Sequence, residues 1–135
     1  MNNLVIGLCM LFLLAACGSM SSGSIQGQWA LVSYGSPSDQ VLAVPDVDAS
    51  IEFDSEGRMT GSVGCNSFGG DYAVESDTFK FDAVMSTMMF CEGPVGDQEL
   101  ATLAVFQESA RFVIDGETMT ITSADGKYSI ILEHK

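Results

Sequence analysis

From Gln28 onward the alternation of apolar and polar residues describes a succession of short strands. Gln28 to Tyr34 sets Trp29, Leu31 and Ser33 on one face and Ala30, Val32 and Tyr34 on the other, a first strand covered on both sides with Trp29 as core anchor. Gly35 to Asp48 carries Pro37, Pro45 and scattered aspartates and reads as a loop, within which Val41 to Val44 can pair as a short edge strand. Ser50 to Asp54 alternates Ile51 and Phe53 with Glu52, Ser55-Glu56-Gly57 forms a hairpin turn, and Arg58 to Gly64 returns from it. Asp71 to Glu75 and Thr78 to Phe81 follow, joined at Ser76-Asp77. Arg111 to Asp115, Thr118 to Thr122 and Tyr128 to Glu133 close the chain.

One stretch changes period. Between Pro94 and Ala110 the apolar residues Leu100, Leu103, Phe106 and Ala110 recur at helical spacing, which predicts a helix with that face on the sheet. Asp97 and Glu99 are expected in its first turn, where carboxylates complement the macrodipole. The pattern predicts a mainly β (α+β) fold: a single small antiparallel β-barrel or sandwich of about eight strands with one packed helix. Between the second and third pairs of strands lies Gly61-Ser-Val-Gly64-Cys65-Asn66-Ser-Phe68-Gly69-Gly70-Asp-Tyr72. Its glycines suggest backbone freedom for sharp turns on both sides of Cys65.

The N-terminus follows other rules. Leu4 to Ala16 is an uninterrupted apolar run, too short for the roughly 20 residues that span a bilayer but right for a signal sequence. It ends in Leu14-Ala-Ala-Cys17, followed by a Ser/Gly-rich stretch, and this resembles the lipobox and tether of bacterial lipoproteins. The resemblance implies a signal peptide at residues 1–16, lipidation of Cys17, a tether over 17–26 and a domain over 27–135. Gly18 after the cysteine implies sorting to the outer membrane, with the domain facing the periplasm. Several acyl chains on Cys17 would hold the protein there stably, since one chain alone binds only marginally.

Export also bears on the cysteines. Cys9 leaves with the signal and Cys17 is acylated, so Cys65 and Cys91 remain as a pair in an oxidising compartment, expected as a disulfide. The alternative keeps both thiols free as redox groups or metal ligands. Met85, Met88 and Met89 beside Cys91 raise the possibility of a Cu(I) site, against which stand the use of Met as core filler and the oxidation of Cys91. All 18 acidic and 5 basic residues follow the export segment, giving the mature chain a net charge of −13 and making nucleic acid an improbable partner.

Taken together, the Trp29-x-Leu31 strand, the Phe53-x-x-x-Gly57 hairpin, Gly64-Cys65-Asn66-x-Phe68-x-Gly70-x-Tyr72, Ser86-Thr87-Met88-x-x-Cys91 and an acidic helix with Glu99 resemble the META domain, or HslJ-like, family. The resemblance covers about Gly27 to Lys135. It implies a cell-envelope protein without an assigned chemistry, linked in some members with motility, stress or drug resistance. The residues agree with that silence. His134 is the single histidine and lies next to the C-terminus, and no serine-nucleophile, zinc-protease or phosphate-cradling motif occurs. No enzyme and no cofactor are therefore expected. The expected function is that of an envelope lipoprotein binding or scaffolding another envelope component; the alternative is carriage of a small apolar ligand in a barrel mouth lined by Phe68, Tyr72 and Phe79.

Overall fold

A computed structural model describes residues 24–135. The signal segment, Cys17 and most of the tether lie outside the described residues. Nine strands and one helix follow in the order β1 (Gly27–Ser36), β2 (Asp39–Leu42), β3 (Ser50–Phe53), β4 (Arg58–Ser62), β5 (Ser67–Glu75), β6 (Thr78–Ser86), α1 (Gly93–Val105), β7 (Ser109–Asp115), β8 (Thr118–Ser123) and β9 (Ser129–His134). Every pairing is antiparallel, neighbours in sequence pair from β3 to β9, and β9 returns to β1. The result is an eight-stranded antiparallel barrel with one extra strand, β2, and a single helix. β1 makes closure possible by serving two partners on one edge, β3 along Gly27–Ala30 and β2 along Ser33–Ser36, while β9 takes the other edge.

Inward positions recur with period two, as a barrel requires. Ile51 and Phe53, Phe79 and Phe81, Met119 and Ile121, and Ile130 and Leu132 are buried in β3, β6, β8 and β9. Phe79 lies against Phe53, Phe81 and Phe112 with ring centroids 5.1, 5.3 and 4.6 Å away, so aromatic side chains occupy the barrel's middle. Trp29 is buried, and its indole N–H donates to the Ile25 carbonyl at 2.8 Å. Tyr72 donates its hydroxyl to the Asp54 carbonyl at 2.6 Å; burial of the phenol, reinforced by the Asp54 carboxylate, pushes its pKa above the usual 10.0.

Three expectations change. First, β5 begins at Ser67 and β6 runs on to Ser86, so Gly69 and Gly70 lie within a strand and not at a corner. Neither they nor Gly64 has a positive φ. What Gly70 provides is room: a Cβ there would come within 2.8 Å of the Val84 side chain and 2.9 Å of the Asp82 carbonyl. At this point Gly70 lies opposite a bulge in β6, where Asp71 pairs with Asp82 and Gly69 with Met85.

Second, the helix ends at Val105, and Ser109 and Ala110 belong to β7 opposite Lys80 and Phe79. Third, the buried face of α1 is largely polar: Gly96, Gln98, Glu99, Thr102 and Val105 point inward while Leu100 is 71% exposed. Since α1 starts at Gly93, with a proline at its first turn and no acidic residue there, Asp97 and Glu99 do not serve the dipole. Apolar spacing held for Phe106, which is buried, and for Leu103, which packs against the core, but not for Leu100, because Gln98, Glu99 and Thr102 take the inward positions with hydrogen-bond partners of their own.

No helix among the described residues is long and apolar enough to cross a membrane.

Candidate functional site

Alternate connections of the barrel fall at opposite ends. The β3–β4, β5–β6 and β7–β8 turns share one end with the start of β1; the β4–β5 corner, the β6–α1 segment and α1 share the other. At this second end Asn66 is the organising residue. Its backbone N–H donates to Glu99 Oε2 at 2.8 Å and its side-chain amide to Glu99 Oε1 at 2.5 Å and the Met89 carbonyl at 3.0 Å. Its Oδ1 accepts from the Thr87 hydroxyl at 2.9 Å and the Met89 N–H at 2.7 Å, and its carbonyl accepts from Ser62 Oγ at 3.1 Å. Every donor and acceptor of a buried asparagine is thus used, and the partners fix which way the amide points.

Gln98, one residue before Glu99, performs a second version of the same task. Its amide donates to the Val63 carbonyl at 2.6 Å and its oxygen accepts from the Val44 N–H at 2.7 Å, binding α1 to the β4–β5 corner and to the chain after β2. Gly64 permits the approach, since a Cβ there would lie 2.5 Å from Glu99 Oε2. A disulfide joins Cys65 to Cys91 across 26 positions, with Cα atoms 5.9 Å apart, so the corner and the helix lead are linked covalently as well. Among the described residues no buried side-chain polar atom lacks a partner.

Cys65, Cys91 and Glu99 bring their ligand-type atoms within 4.8 Å of one another, the spacing of a metal site. With the sulfurs bonded to each other and both Glu99 oxygens accepting from Asn66, this set does not fit a cation.

The outer surface of this network is apolar. Met88 is 94% exposed, Phe90 87%, Leu100 71% and Met89 62%, and together with Leu103 they border an open groove of about 410 Å³. Met85, 74% exposed, lies on two neighbouring grooves. The three methionines suggested for copper therefore project outward, with Met85 on grooves different from that of Met88 and Met89. Of the ligand residues suggested for a barrel mouth, Phe79 is fully buried, Phe68 is buried, stacks on Phe106 at 5.6 Å and lines a groove with Met85, and Tyr72 packs edge-on to Phe53 at 5.2 Å. His134 is at the far end, its ring 4.9 Å from that of Trp29.

The corner, the segment before α1 and Glu99 thus form one unit, built from the residues that made up the resemblance in the sequence. A family model described as the META domain matches residues 23–135. The chain belongs to the META domain family. Among solved structures the META domain here is similar to a protein from Burkholderia xenovorans determined by NMR, at 21% identity and a TM-score of 0.64, covering 82% of each chain. A second NMR structure matches at 17% identity and a TM-score of 0.63, over 80% of this chain and 88% of the other. A DUF4847 family protein from Bacteroides vulgatus, known from a crystal structure, matches at 14% identity and a TM-score of 0.56, over 82% of this chain and 93% of the other. These likenesses show the fold. No curated protein shows significant similarity to the chain.

Two features of the META domain's site escaped the sequence reading. Gln98 gave no signal, because a lone glutamine on a helix is ordinarily solvated. The outward aim of Met88 to Phe90 was also hidden, since an apolar run next to a cysteine reads as core.

Proposed function

We propose that this META-domain chain is a cell-envelope lipoprotein, anchored in the outer membrane through lipid on Cys17, whose domain binds or scaffolds another envelope component without catalysis. The observation that carries the reading is the exposed apolar rim of Met88, Met89, Phe90 and Leu100. A soluble domain exposes such a cluster at a cost in solubility, and the Asn66–Glu99 network with the adjoining disulfide fixes its backbone from behind. Binding surfaces are enriched in Met and aromatic side chains, and a preordered one loses less entropy on association. The described chain begins at the end of the barrel opposite the rim, an arrangement compatible with an anchor that precedes it.

Nucleophilic catalysis would need a base beside the nucleophile, and His134, the single histidine, packs on Trp29 at the end of the barrel opposite the rim. Carriage would need an empty interior, and Phe53, Phe79, Phe81 and Phe112 fill it.

Labelled palmitate should enter the intact protein, and Cys17→Ala should abolish both labelling and membrane fractionation; membrane attachment unchanged in that variant would remove the anchor from the proposal. A photo-activatable residue at position 90 should form a discrete protein adduct in cells, and one at position 117, at the tether end, should not. Equal adducts at both positions would dismiss the rim as the binding surface.

A further inference from the structure

The barrel has a gap in its hydrogen bonding. β7 pairs with β6 only at Thr78, Phe79 and Lys80, and the last contact along this seam is the Phe81 N–H donating to the Glu108 carbonyl at 2.9 Å. Beyond it β6 continues to Ser86, paired with β5 on one side and, among the described residues, with no strand on the other. Met85 sits opposite Gly69, and the Thr87 N–H returns to the Ser67 carbonyl, so strand alternation turns the backbone groups of Val84 and Ser86 toward the open side. A groove of about 350 Å³ runs along this edge, its far wall formed by Leu103, Phe106 and Gln107 of the helix end.

We propose that this edge of β6 receives an extended peptide segment of a partner protein, which adds the rung the barrel lacks, in line with β7. The exposed edge, about 16 Å long at 3.3 Å per residue, accommodates roughly five residues. Its side-chain chemistry selects the occupant. Asp82 and Glu108 line the groove with no Lys or Arg among its lining residues, while Met85 and Leu103 supply apolar surface. The complementary segment is basic and apolar in alternation, its Lys or Arg side chains near Asp82 and Glu108. Ala83, whose φ of 50° is unusual for a residue with a Cβ, lies in the bulge between Asp82 and Met85. This deepens the scaffold reading by naming a partner class for a surface next to the rim, and it rests on the domain being a binding module.

The test uses the mature protein and a short capped peptide of alternating Lys and Val. Binding should be saturable and should protect the Val84 and Ser86 amides from hydrogen exchange. It should weaken by about tenfold or more when alternate peptide amides are N-methylated, when Glu replaces Lys in the peptide, or in Asp82→Lys. Val84→Pro removes one outward N–H directly; Asp82→Lys, on the exposed surface, keeps the question open if that variant fails to fold. Absence of peptide binding, binding indifferent to N-methylation, or protection appearing without peptide as the protein dimerises through this edge would each overturn the proposal. Adducts at position 90 that persist in Asp82→Lys, with no peptide bound by the wild type, would reject the edge while leaving the scaffold reading intact.

Discussion

Asn66 has every donor and acceptor partnered, and each oxygen of the carboxyl group it faces accepts one of its N–H groups. Glu99 accepts from two donors of one residue, the Asn66 N–H and side-chain amide. A glutamine at position 99 has one acceptor and would turn its own N–H₂ toward the second donor. Glu99→Gln should therefore cost about 1–3 kcal/mol, the cost of leaving a buried donor unpaired, although it changes a single atom. Urea denaturation measures this, and wild-type stability in the variant would show the network to be slack. At the surface Asp125 is a counterpart. The Lys127 N–H and the Ser123 hydroxyl donate to it at 3.0 and 2.7 Å, and these hydrogen bonds hold its carboxyl below the usual 3.8. A lowered folded-state pKa stabilises the fold above the unfolded value and ceases to do so as pH falls through the folded one. The small stability deficit expected of Asp125→Asn at pH 6 should thus shrink below pH 3.8, and a deficit constant with pH would contradict the assignment.

At the scale of elements, α1 is held by side-chain chemistry more than by an apolar stripe. Gln98 and Glu99 connect it to the β4–β5 corner, Val105 and Phe106 bury at its C-terminal end, and the Cys65–Cys91 disulfide ties its lead to the same corner. For a closed loop of this length the chain-entropy model gives about 3.5 kcal/mol, a large share of the ~5–15 kcal/mol that stabilises a domain. Cys65→Ser or Cys91→Ser should then lower the melting temperature by on the order of ten to twenty degrees. Calorimetry with and without reductant tests this: the wild type should fall to the mutant value on reduction. A mutant melting like the oxidised wild type would mean that the hydrogen bonds alone hold the corner. Mass spectrometry of non-reduced, alkylated protein checks the linkage itself through a Cys65–Cys91 peptide.

For the whole molecule, closure is the decisive property. β9 supplies Ile130 and Leu132 to the core and pairs with both β8 and β1, so it seals two strand edges at once. Fully burying those two side chains contributes roughly 3–6 kcal/mol, and β1 and β8 without β9 present bare edges to other copies. Truncation before Ser129 should abolish the cooperative unfolding transition and yield aggregates; a truncated chain that still melts sharply would show that the remaining strands fold as an open sheet. The formal charge of −13 belongs to this scale as well, since mutual repulsion opposes association of copies through the exposed rim.

Alternation by itself determined that consecutive short antiparallel strands form a small barrel or sandwich, because a strand with one face inside must repeat with period two; closure of β9 on β1 decided for the barrel. The family resemblance, and not alternation, indicated the importance of Cys65, Asn66, Phe68, Cys91 and Glu99. Three matters were settled only by tertiary structure. The face of α1 depended on partners for Gln98 and Glu99 that lie more than thirty positions away, at Val63 and Asn66, so local spacing favoured Leu100. The role of Gly70 depended on the Val84 side chain across a strand pair, where space mattered and backbone freedom did not. Whether Met88 and Phe90 were core or surface depended on where the chain between β6 and α1 crosses the end of the barrel, which hydrophobicity cannot specify. Local periodicity reports which element forms; which surfaces meet, and which remain open for a partner, is decided by contacts between residues distant in sequence.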